Sequence, residues 1–373
     1  FVAERGTATK EVVYVLERQG FIRPHMADEN DKRTIYMVDM HEPLMFLHNL
    51  DTTIKEPFAS NPAVLDAVEK NHKKLQIAMT KLYPGNLVLS LSSGIMYHRL
   101  VDRITALNDV PREPLVPRRL GKNMCVPFGK ILRGKVVPNT VTKTLHTDKV
   151  YEPDLNSFTI EPFPYYSPLK SQIETIKSFD RPVILVDDLV HTANRLQVLV
   201  PQLREDGIPI KKVVVGVLSG YGRDLMQCLK VPVESIYSMP NLRQWFVEST
   251  LYPFIGGDTV RREEMKVAGL QPSINMILPY ATPRLSGCSR EALVEFSACC
   301  IENSRDLFQV LEAEYRKMYA KNLTLSRLSE AVILPLCPDK GSCMEYDENL
   351  AASVYLENDL ETLWRMKEFL IKG

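Results

Sequence analysis

Two adjacent carboxylates, Asp187 and Asp188, follow the apolar run of 183-VILVDDLVHTANRL-196 and are the first candidates for chemistry in this chain. Two apolar residues come next, and a polar stretch over 191–195 then leads into a helical pattern. A helix N-terminus offers backbone N–H groups and a positive dipole end, which suit a phosphate. Acids would repel that anion unless they contact something else. Vicinal hydroxyls of a ribose, or a magnesium ion, are therefore their expected targets.

The elements around the acids alternate between strand and helix patterns. Strand-like runs occur at 86–92, 182–188, 212–220 and 233–239, and helical patterns at 61–82, 95–107, 194–207 and 223–229. Such alternation predicts an α/β fold with a mostly parallel sheet covered on both faces. In an open sheet of this kind, ligands bind beyond the carboxyl ends of the strands, where the two acids lie. Residues 108–180 have weak periodicity and are expected to form a long excursion.

The stretch 184-ILVDDLVHTANRL-196 resembles the signature of type I phosphoribosyltransferases, and the resemblance covers about residues 85–260. That signature is an apolar strand, two acids, two apolar residues and a Thr/Gly-rich phosphate loop. The resemblance implies that Asp187 and Asp188 bind ribose and Mg²⁺. It also implies a loop for the 5′-phosphate of phosphoribosyl pyrophosphate (PRPP), formed by His191, Thr192, Ala193, Asn194 and Arg195.

The phosphate loop departs from the family pattern Thr-Thr-Gly-x-Thr at two positions. Ala193 replaces the glycine, and a Cβ there crowds a phosphate that the backbone would otherwise approach closely. Arg195 replaces the last threonine and offers a bidentate phosphate contact in its place. The substitutions are expected to change phosphate binding rather than abolish it.

Three further groups of site residues follow from the resemblance. Ser92, Ser93 and Gly94 fall where the family has its pyrophosphate loop. The basic span 130–149 falls where the family has a mobile catalytic lid; its cations and histidine are Lys130, Arg133, Lys135, Lys143, His146 and Lys149. Lys143, His146 and Lys149 are the expected catalytic residues, because a basic lid stabilises a departing pyrophosphate and excludes water. Tyr252 and Phe254 are candidates to face a planar base, with burial in the core as the equal alternative.

The function that this resemblance implies is phosphoribosyl transfer. A nucleotide-binding glycosyltransferase of this class would move ribose 5-phosphate between PRPP and a nitrogenous base or related acceptor, or carry out the reverse reaction. The alternative is a non-catalytic nucleotide or PRPP sensor on the same fold, which would not need a basic lid. Either reading makes the partner a small molecule, and assembly into a homodimer stays open.

The remaining segments suggest three regions: 1–44, 45–260 and 261–373. Residues 1–41 predict a strand, a helix over Thr9–Gln19 and a strand at 34–40, which resembles the C-terminal part of a GCN5-related acetyltransferase; the alternative is a generic βαβ piece. Amphipathic patterns at 289–320 and 348–370 predict a helical subdomain at the C-terminus.

The composition limits the cellular location and the kinds of partner that we expect for this protein. The 46 Lys+Arg balance the 46 Asp+Glu, so nothing in the net charge supports nucleic-acid binding. With seven scattered cysteines, no signal peptide and no apolar stretch long enough to span a membrane, a cytoplasmic protein is expected. Cys337 and Cys343 alone lack the further ligands that a metal site needs. Because the sequence begins with Phe1 rather than Met, we expect it to be a fragment of a longer protein.

Other interpretations of the acids and the lid remain open at this stage. A response-regulator receiver also opens with acids after a strand, but the residues before Met239-Pro240 contain no phosphoacceptor Asp. Alternatively, one of the two acids could be the N-cap of the following helix, while the other acid is exposed to solvent. The basic span could be an ordinary lysine-rich surface loop, because exposed loops are often charged.

Overall fold

The computed structural model describes residues 22–26, 34–117, 119–192, 194–262, 267, 269–283, 285, 287–340 and 345–372, with side chains from residue 42 to residue 367 within these ranges. The helix expected over Thr9–Gln19, and Ala193 of the phosphate loop, lie outside the described residues. Of the strand–helix–strand pattern expected over 1–41, only the strand at 34–40 lies in the described part of the chain, where it forms part of β2; β1 was not predicted.

The strands of the described chain are β1 (Ile22–Met26), β2 (Thr34–His48), β3 (Asn86–Ser92), β4 (Met124–Pro127), β5 (Val141–Thr142), β6 (Thr147–Tyr151), β7 (Phe158–Pro162), β8 (Val183–Val190), β9 (Ile210–Ser219), β10 (Val233–Met239), β11 (Gln244–Val247), β12 (Asp258–Val260), β13 (Gln271–Ile274) and β14 (Leu336–Pro338). The α-helices are α1 (Pro62–Leu82), α2 (Ser93–Leu107), α3 (Leu169–Lys177), α4 (Asn194–Glu205), α5 (Gly220–Cys228), α6 (Arg290–Tyr319) and α7 (Ala352–Lys372). The fold is mixed α/β, as the sequence predicted.

The chain divides into two compact units, residues 91–242 and residues 1–90 with 243–373. This division differs from the three regions expected from the sequence, because β2 continues to His48, past the expected boundary at 44, and residues beyond 243 contribute β11 to the same sheet. We call 91–242 the parallel-sheet unit and the remainder the helical unit.

The parallel-sheet unit is built on five parallel strands in the order β10-β9-β8-β4-β5. From β4 the chain first moves outward to β5 and then returns to place β8 on the other side of β4. The strand order therefore reverses between β4 and β8. In open sheets of this kind, ligands bind at such a point, beyond the carboxyl ends of the strands.

Apolar residues explain why these strands are central. Val183, Leu185, Val213 and Val215 are fully buried in the core of the unit, as expected of strands covered on both faces. From α4, Leu196, Leu199, Val200 and Leu203 pack on this core at helical spacing. The strands and helices predicted from 182 to 239 are thus confirmed to within a few residues.

The expected excursion at 108–180 contains regular structure that the sequence analysis missed. It holds β4, β5, the antiparallel pair β6–β7, and α3. Strand β4 is only four residues long and buried throughout, so it has no alternation to recognise. Its position beside β8 makes it part of the candidate site.

The helical unit contains a second sheet, the strands β12, β13 and β14 of a third sheet, and three long helices. The strands of the second sheet run in the order β1-β2-β11, with β3 also paired to β2. Asn61 caps α1 by accepting hydrogen bonds from the N–H groups of Ala63 and Val64. Helices α6 and α7 confirm the predicted amphipathic patterns, but β13 and β14 fall in the same region, so a purely helical subdomain is not confirmed. None of the described helices has the length and hydropathy needed to cross a membrane.

Candidate functional site

The two acids lie where the sheet reverses its strand order. Pairing places Pro127 of β4 beside Val186 of β8, so the chain that leaves β4 passes directly by Asp187 and Asp188. The N–H of Phe128 donates to the carbonyl of Val186 and extends this pairing by one residue. Asp187 is only 8% exposed, and Asp188 is half-buried.

A loop after β4 is seated on these acids. The carboxylate of Asp188 accepts hydrogen bonds from the backbone N–H groups of Lys130 (2.6 Å) and Ile131 (3.0 Å). A Cβ added to Gly129 would lie 2.5 Å from Asp188 Oδ1 and 2.6 Å from Asp187 Oδ1. Only glycine allows so close an approach of backbone to carboxylate. The segment 129–131 and the acids therefore form one constellation, which we call the acid site.

Asp187 is the more buried of the two acids. Its Oδ1 accepts the N–H of Asp188 at 2.8 Å, and the guanidinium of Arg195 lies 4.0 Å away. Burial raises the pKa of Asp187 to about 7; Arg195 opposes this shift and the charge of Asp188 adds to it. A cation or a donor that reached this carboxylate would relieve the burial cost of its charge.

Arg133 adds a second cation near the acids. Its guanidinium lies over the ring of Phe163, 4.9 Å from the centroid, and makes one long hydrogen bond of 3.5 Å to the carbonyl of Thr147. Its Nε is buried, and no acceptor among the described residues reaches it. Burial and the charge of Arg195 lower the pKa of Arg133. Two guanidinium groups that repel each other, one with an unused donor, are suited to an anionic ligand.

The expected catalytic residues have different surroundings. The ring of His146 stacks on Tyr166, with centroids 3.7 Å apart, and burial lowers its pKa, with the charges of Arg133 and Lys143 acting in the same direction. Lys143 is exposed, and its backbone N–H donates to Cys125. The ammonium of Lys149 hydrogen-bonds the Tyr151 hydroxyl.

The span 130–149 packs as part of the sheet edge. Ile131, Leu132, Val137 and Leu145 are buried, and β5 pairs with β4. These contacts differ from the mobile lid that the resemblance implied, because β-branched and polar residues can pair at a sheet edge as well as in a lid. The mobile lid is not confirmed.

Side chains of the predicted phosphate loop make hydrogen bonds that fix its position. His191 Nδ1 and the Ser219 hydroxyl are 2.8 Å apart, and Ser219 also caps α5 by accepting the N–H of Gly222. Burial lowers the pKa of His191. The exposed Thr192 accepts a hydrogen bond from the amide of Asn194, the first residue of α4. His191 and Thr192 are thus positioned by contacts within the unit.

Two groups of predicted residues lie in other surroundings. Ser92 ends β3, which pairs with β2, and Ser93 and Gly94 begin α2; the backbone that contacts the acids comes from 129–131 instead. Tyr252 and Phe254 expose none of their side chains. Phe254 packs against Phe308, Tyr346 and Tyr355, so the structure assigns these two residues to the core of the helical unit and not to a base-facing surface.

Sequence reasoning overlooked the loop at 128–134. Its signal is present in 127-PFGKILRG-134, where a glycine and a lysine follow a short apolar run. Because β4 was not recognised, the glycine could not be assigned to the carboxyl end of a strand. The sequence distinguishes Arg133 from the other basic residues of the span 130–149 by no local pattern.

Comparison with known proteins adds little to this geometry. No family model matches the chain, and no curated protein does. Among solved structures, it is similar to a purine phosphoribosyltransferase from Pyrococcus horikoshii, with 11% sequence identity and a TM-score of 0.25. The match covers 41% of this chain and 86% of that one. At that TM-score the likeness does not establish a common fold, so any assignment of the acid site depends on its own residues.

Proposed function

We propose that the parallel-sheet unit binds a ribose 5-phosphate ligand at the acid site and transfers that group between PRPP and a nitrogenous acceptor. The observation that carries this proposal is the pair of adjacent acids at the point where the strand order reverses, with a glycine loop seated on them and two guanidinium groups beside them. Carboxylates suit vicinal hydroxyls, and the guanidinium groups suit phosphate oxygens.

The residues present also fit a magnesium ion. Asp187 and Asp188 supply hard carboxylate oxygens, and an oxygen that accepts one N–H keeps a further lone pair for a cation. A bound ion would supply charge neutralisation at the pyrophosphate and lower the cost of the buried Asp187 charge.

In the proposed reaction, the acceptor nitrogen forms a bond to C1 of the ribose while the bond from C1 to pyrophosphate oxygen breaks. Positive charge grows on the sugar and negative charge on the leaving group. Arg133 and Arg195 would stabilise the negative charge, and the acids would orient the ribose hydroxyls. His146, kept neutral by burial and its cationic neighbours, would accept the proton that the acceptor nitrogen loses.

The test is calorimetric titration of the purified chain with PRPP, ribose 5-phosphate and a nucleotide panel in the presence of Mg²⁺. Asp187→Asn with Asp188→Asn is expected to lower affinity by tenfold or more per residue, because hydrogen bonds to charged groups contribute about 1.5–3 kcal/mol each. Asp224→Asn, an exposed acid on α5, is the matched control and should bind as the unmodified chain does. Unchanged affinity in the double variant would remove the acids from the site.

A non-catalytic nucleotide or PRPP sensor is the second candidate, and the surroundings of Lys149 favour it. Its ammonium is engaged with Tyr151 and lies over the rings of Tyr151 and Phe158, so it is already partnered. If the protein is a transferase, the double substitution Lys143→Ala with His146→Ala should leave the affinity for PRPP or nucleotide within a few fold. It should lower the rate of pyrophosphate release by orders of magnitude. Tight binding without turnover on any base tested would instead support the sensor.

A further inference from the structure

A second cluster of chemically capable side chains lies in the helical unit, and the proposed function does not use it. His48, His72 and Glu248 bring their ligand atoms within 4.8 Å of one another. Glu248 is 1% exposed, so an unpartnered charge on it would be costly. Among the described residues, these are the His, Cys, Asp or Glu side chains of which three lie close enough together to share one metal ion.

The backbone explains how residues so distant in sequence meet. Strands β2 and β11 are parallel and pair Leu47 with Val247, so His48 and Glu248 follow at the same level where both strands end. Just beyond them the Asn49 side chain accepts the N–H of Ser249 at 2.9 Å and donates to its hydroxyl at 2.9 Å. These two hydrogen bonds between the segments that follow β2 and β11 fix the spacing of the two ligand-bearing residues.

His72 approaches from α1 and completes the cluster. Its Nδ1 lies 3.3 Å from Glu248 Oε1, and Nδ1 of His48 lies 3.6 Å from Oε2. The ring of Phe46 stacks on His72 and meets His48 edge to face, with centroid distances of 5.5 and 4.9 Å. Both imidazoles therefore direct the same nitrogen, Nδ1, at one buried carboxylate.

The outer nitrogens of the imidazoles have partners of their own. Nε2 of His48 is hydrogen-bonded to the Ser90 hydroxyl, and Nε2 of His72 lies 3.0 Å from the amide of Gln76. The same amide is 2.9 Å from the Ser90 hydroxyl, so Ser90 and Gln76 link the two rings. Metal-binding histidines usually donate their second ring N–H to a polar acceptor. The Ser90 hydroxyl can accept from His48, and the Gln76 amide accepts from His72 when its oxygen, rather than its nitrogen, faces the ring.

Two of the distances between the ligand atoms are close to those around a small divalent ion, and all of these atoms lie within 4.8 Å of one another. Two ligands at zinc bond lengths of about 2.0–2.1 Å in a tetrahedral site are about 3.3–3.4 Å apart. The distances from His72 Nδ1 to Glu248 Oε1 (3.3 Å) and from His48 Nδ1 to Glu248 Oε2 (3.6 Å) are close to this value, with one carboxylate oxygen facing each imidazole. Two imidazoles and one carboxylate are also a ligand set that zinc sites with an open coordination position use. The side chains of His48 and His72 retain 20% and 18% exposure, which leaves a route to solvent.

We propose that His48 Nδ1, His72 Nδ1 and the Glu248 carboxylate form a site for a divalent transition-metal ion, with Zn²⁺ as the expected ion. Three protein ligands leave one position for water or another small ligand, as in sites that activate a bound molecule. The set differs from the acid site in chemistry, because imidazole selects zinc-like ions whereas carboxylates alone suit magnesium.

Metal binding to the full chain tests this proposal after bound ions are stripped with a chelator. Co²⁺ titration should give the intense visible d–d bands of tetrahedral coordination, without the near-ultraviolet bands of cysteine ligation, at one ion per chain. Zn²⁺ should displace Co²⁺ and abolish the bands. A chain that gives no such bands and binds no Zn²⁺ by competition would overturn the proposal and leave a hydrogen-bonded His–Glu cluster.

Substitutions assign the ligands. His72→Ala and Glu248→Gln should each lower Zn²⁺ affinity by more than about 100-fold, while Gln76→Ala, which removes an outer partner, should lower it about 10- to 100-fold. His98→Ala is the matched control, because this exposed histidine of the other unit pairs with Arg112. Circular dichroism monitors folding, and Gln76→Ala keeps the test decisive if either ligand variant unfolds. Unchanged affinity in a folded ligand variant would exclude that residue and the site as proposed.

Discussion

The acid site and the His–Glu cluster occupy equivalent positions in two different sheets. Each lies at the carboxyl ends of two neighbouring parallel strands, β4 with β8 and β2 with β11. The acid site combines adjacent carboxylates with guanidinium groups, and its residues come from two short segments, 129–133 and 187–195. The cluster combines imidazoles with one buried carboxylate from three distant segments. Strand ends thus supply a location, while the side chains decide which ligand can bind.

The largest expected effect tests which loop belongs to the acid site. Gly129→Ala should lower ribose 5-phosphate affinity by about 100-fold or more, because its Cβ would force the loop away from both carboxylates and small misplacements have effects of that size. Gly94→Ala is the matched control, since a Cβ there meets only Ser92 Oγ at 3.6 Å, an ordinary contact. Calorimetric titration compares the two. A larger loss at Gly94 would restore the pyrophosphate loop expected at Ser92–Gly94.

That contrast shows what the sequence could and could not predict. The run into Asp187 predicted β8, the acids and α4, because a long apolar strand followed by a polar turn and an amphipathic helix is a strong local pattern. Strand β4 gave no such pattern, so its glycine loop was missed.

The His–Glu cluster was beyond the reach of local patterns for a further reason. The pairing of β2 with β11, a contact across about 200 residues, brings His48 and Glu248 together, and His72 reaches them from α1. Tyr252 and Phe254 show the converse error: aromatic residues beside a glycine turn are consistent with a base-facing surface, and only packing shows that they are buried.

The second prediction separates two cations of the span 130–149. Arg133→Ala should weaken binding of phosphate-bearing ligands about tenfold or more, since a charged hydrogen bond contributes about 1.5–3 kcal/mol, and should affect the matching nucleoside little. Lys149→Ala should change affinity by less than about twofold, because its ammonium contacts Tyr151 and Phe158. Titration with nucleotide and nucleoside pairs measures both. Equal losses for nucleotide and nucleoside would show that Arg133 does not contact the phosphate.

The third prediction uses the raised pKa of Asp187. Between the unfolded value of 3.8 and the folded value of about 7, the folded chain holds a proton on this carboxyl that the unfolded chain has released. The contribution of Asp187 to stability is therefore largest below pH 4 and decreases as the pH rises to 7, by at most about 1.4 kcal/mol per pH unit. Asp187→Asn should remove this slope.

Denaturant unfolding in metal-free buffer at several pH values measures the difference in the free energy of unfolding between the variant and the unmodified chain. Contributions from groups that titrate alike in both proteins cancel in this difference. Asp224→Asn should retain the slope of the unmodified chain. A difference that grows in the opposite direction, with Asp187 stabilising more at pH 7 than at pH 4, would mean that Arg195 outweighs burial at this carboxyl.

The smallest effect is expected at Tyr252. Its hydroxyl is buried near Asn303 but has no hydrogen bond of ordinary geometry among the described residues, so Tyr252→Phe removes a polar atom that is already poorly satisfied. The free energy of unfolding should change by less than about 1 kcal/mol, and in the stabilising direction. Nucleotide affinity should stay within about twofold for every base, because the side chain is fully buried. Denaturant unfolding and titration on one preparation measure both quantities. A loss of affinity that depends on the base would show that Tyr252 contacts the ligand. Tyr252 would then belong to the binding site and not to the core of the helical unit.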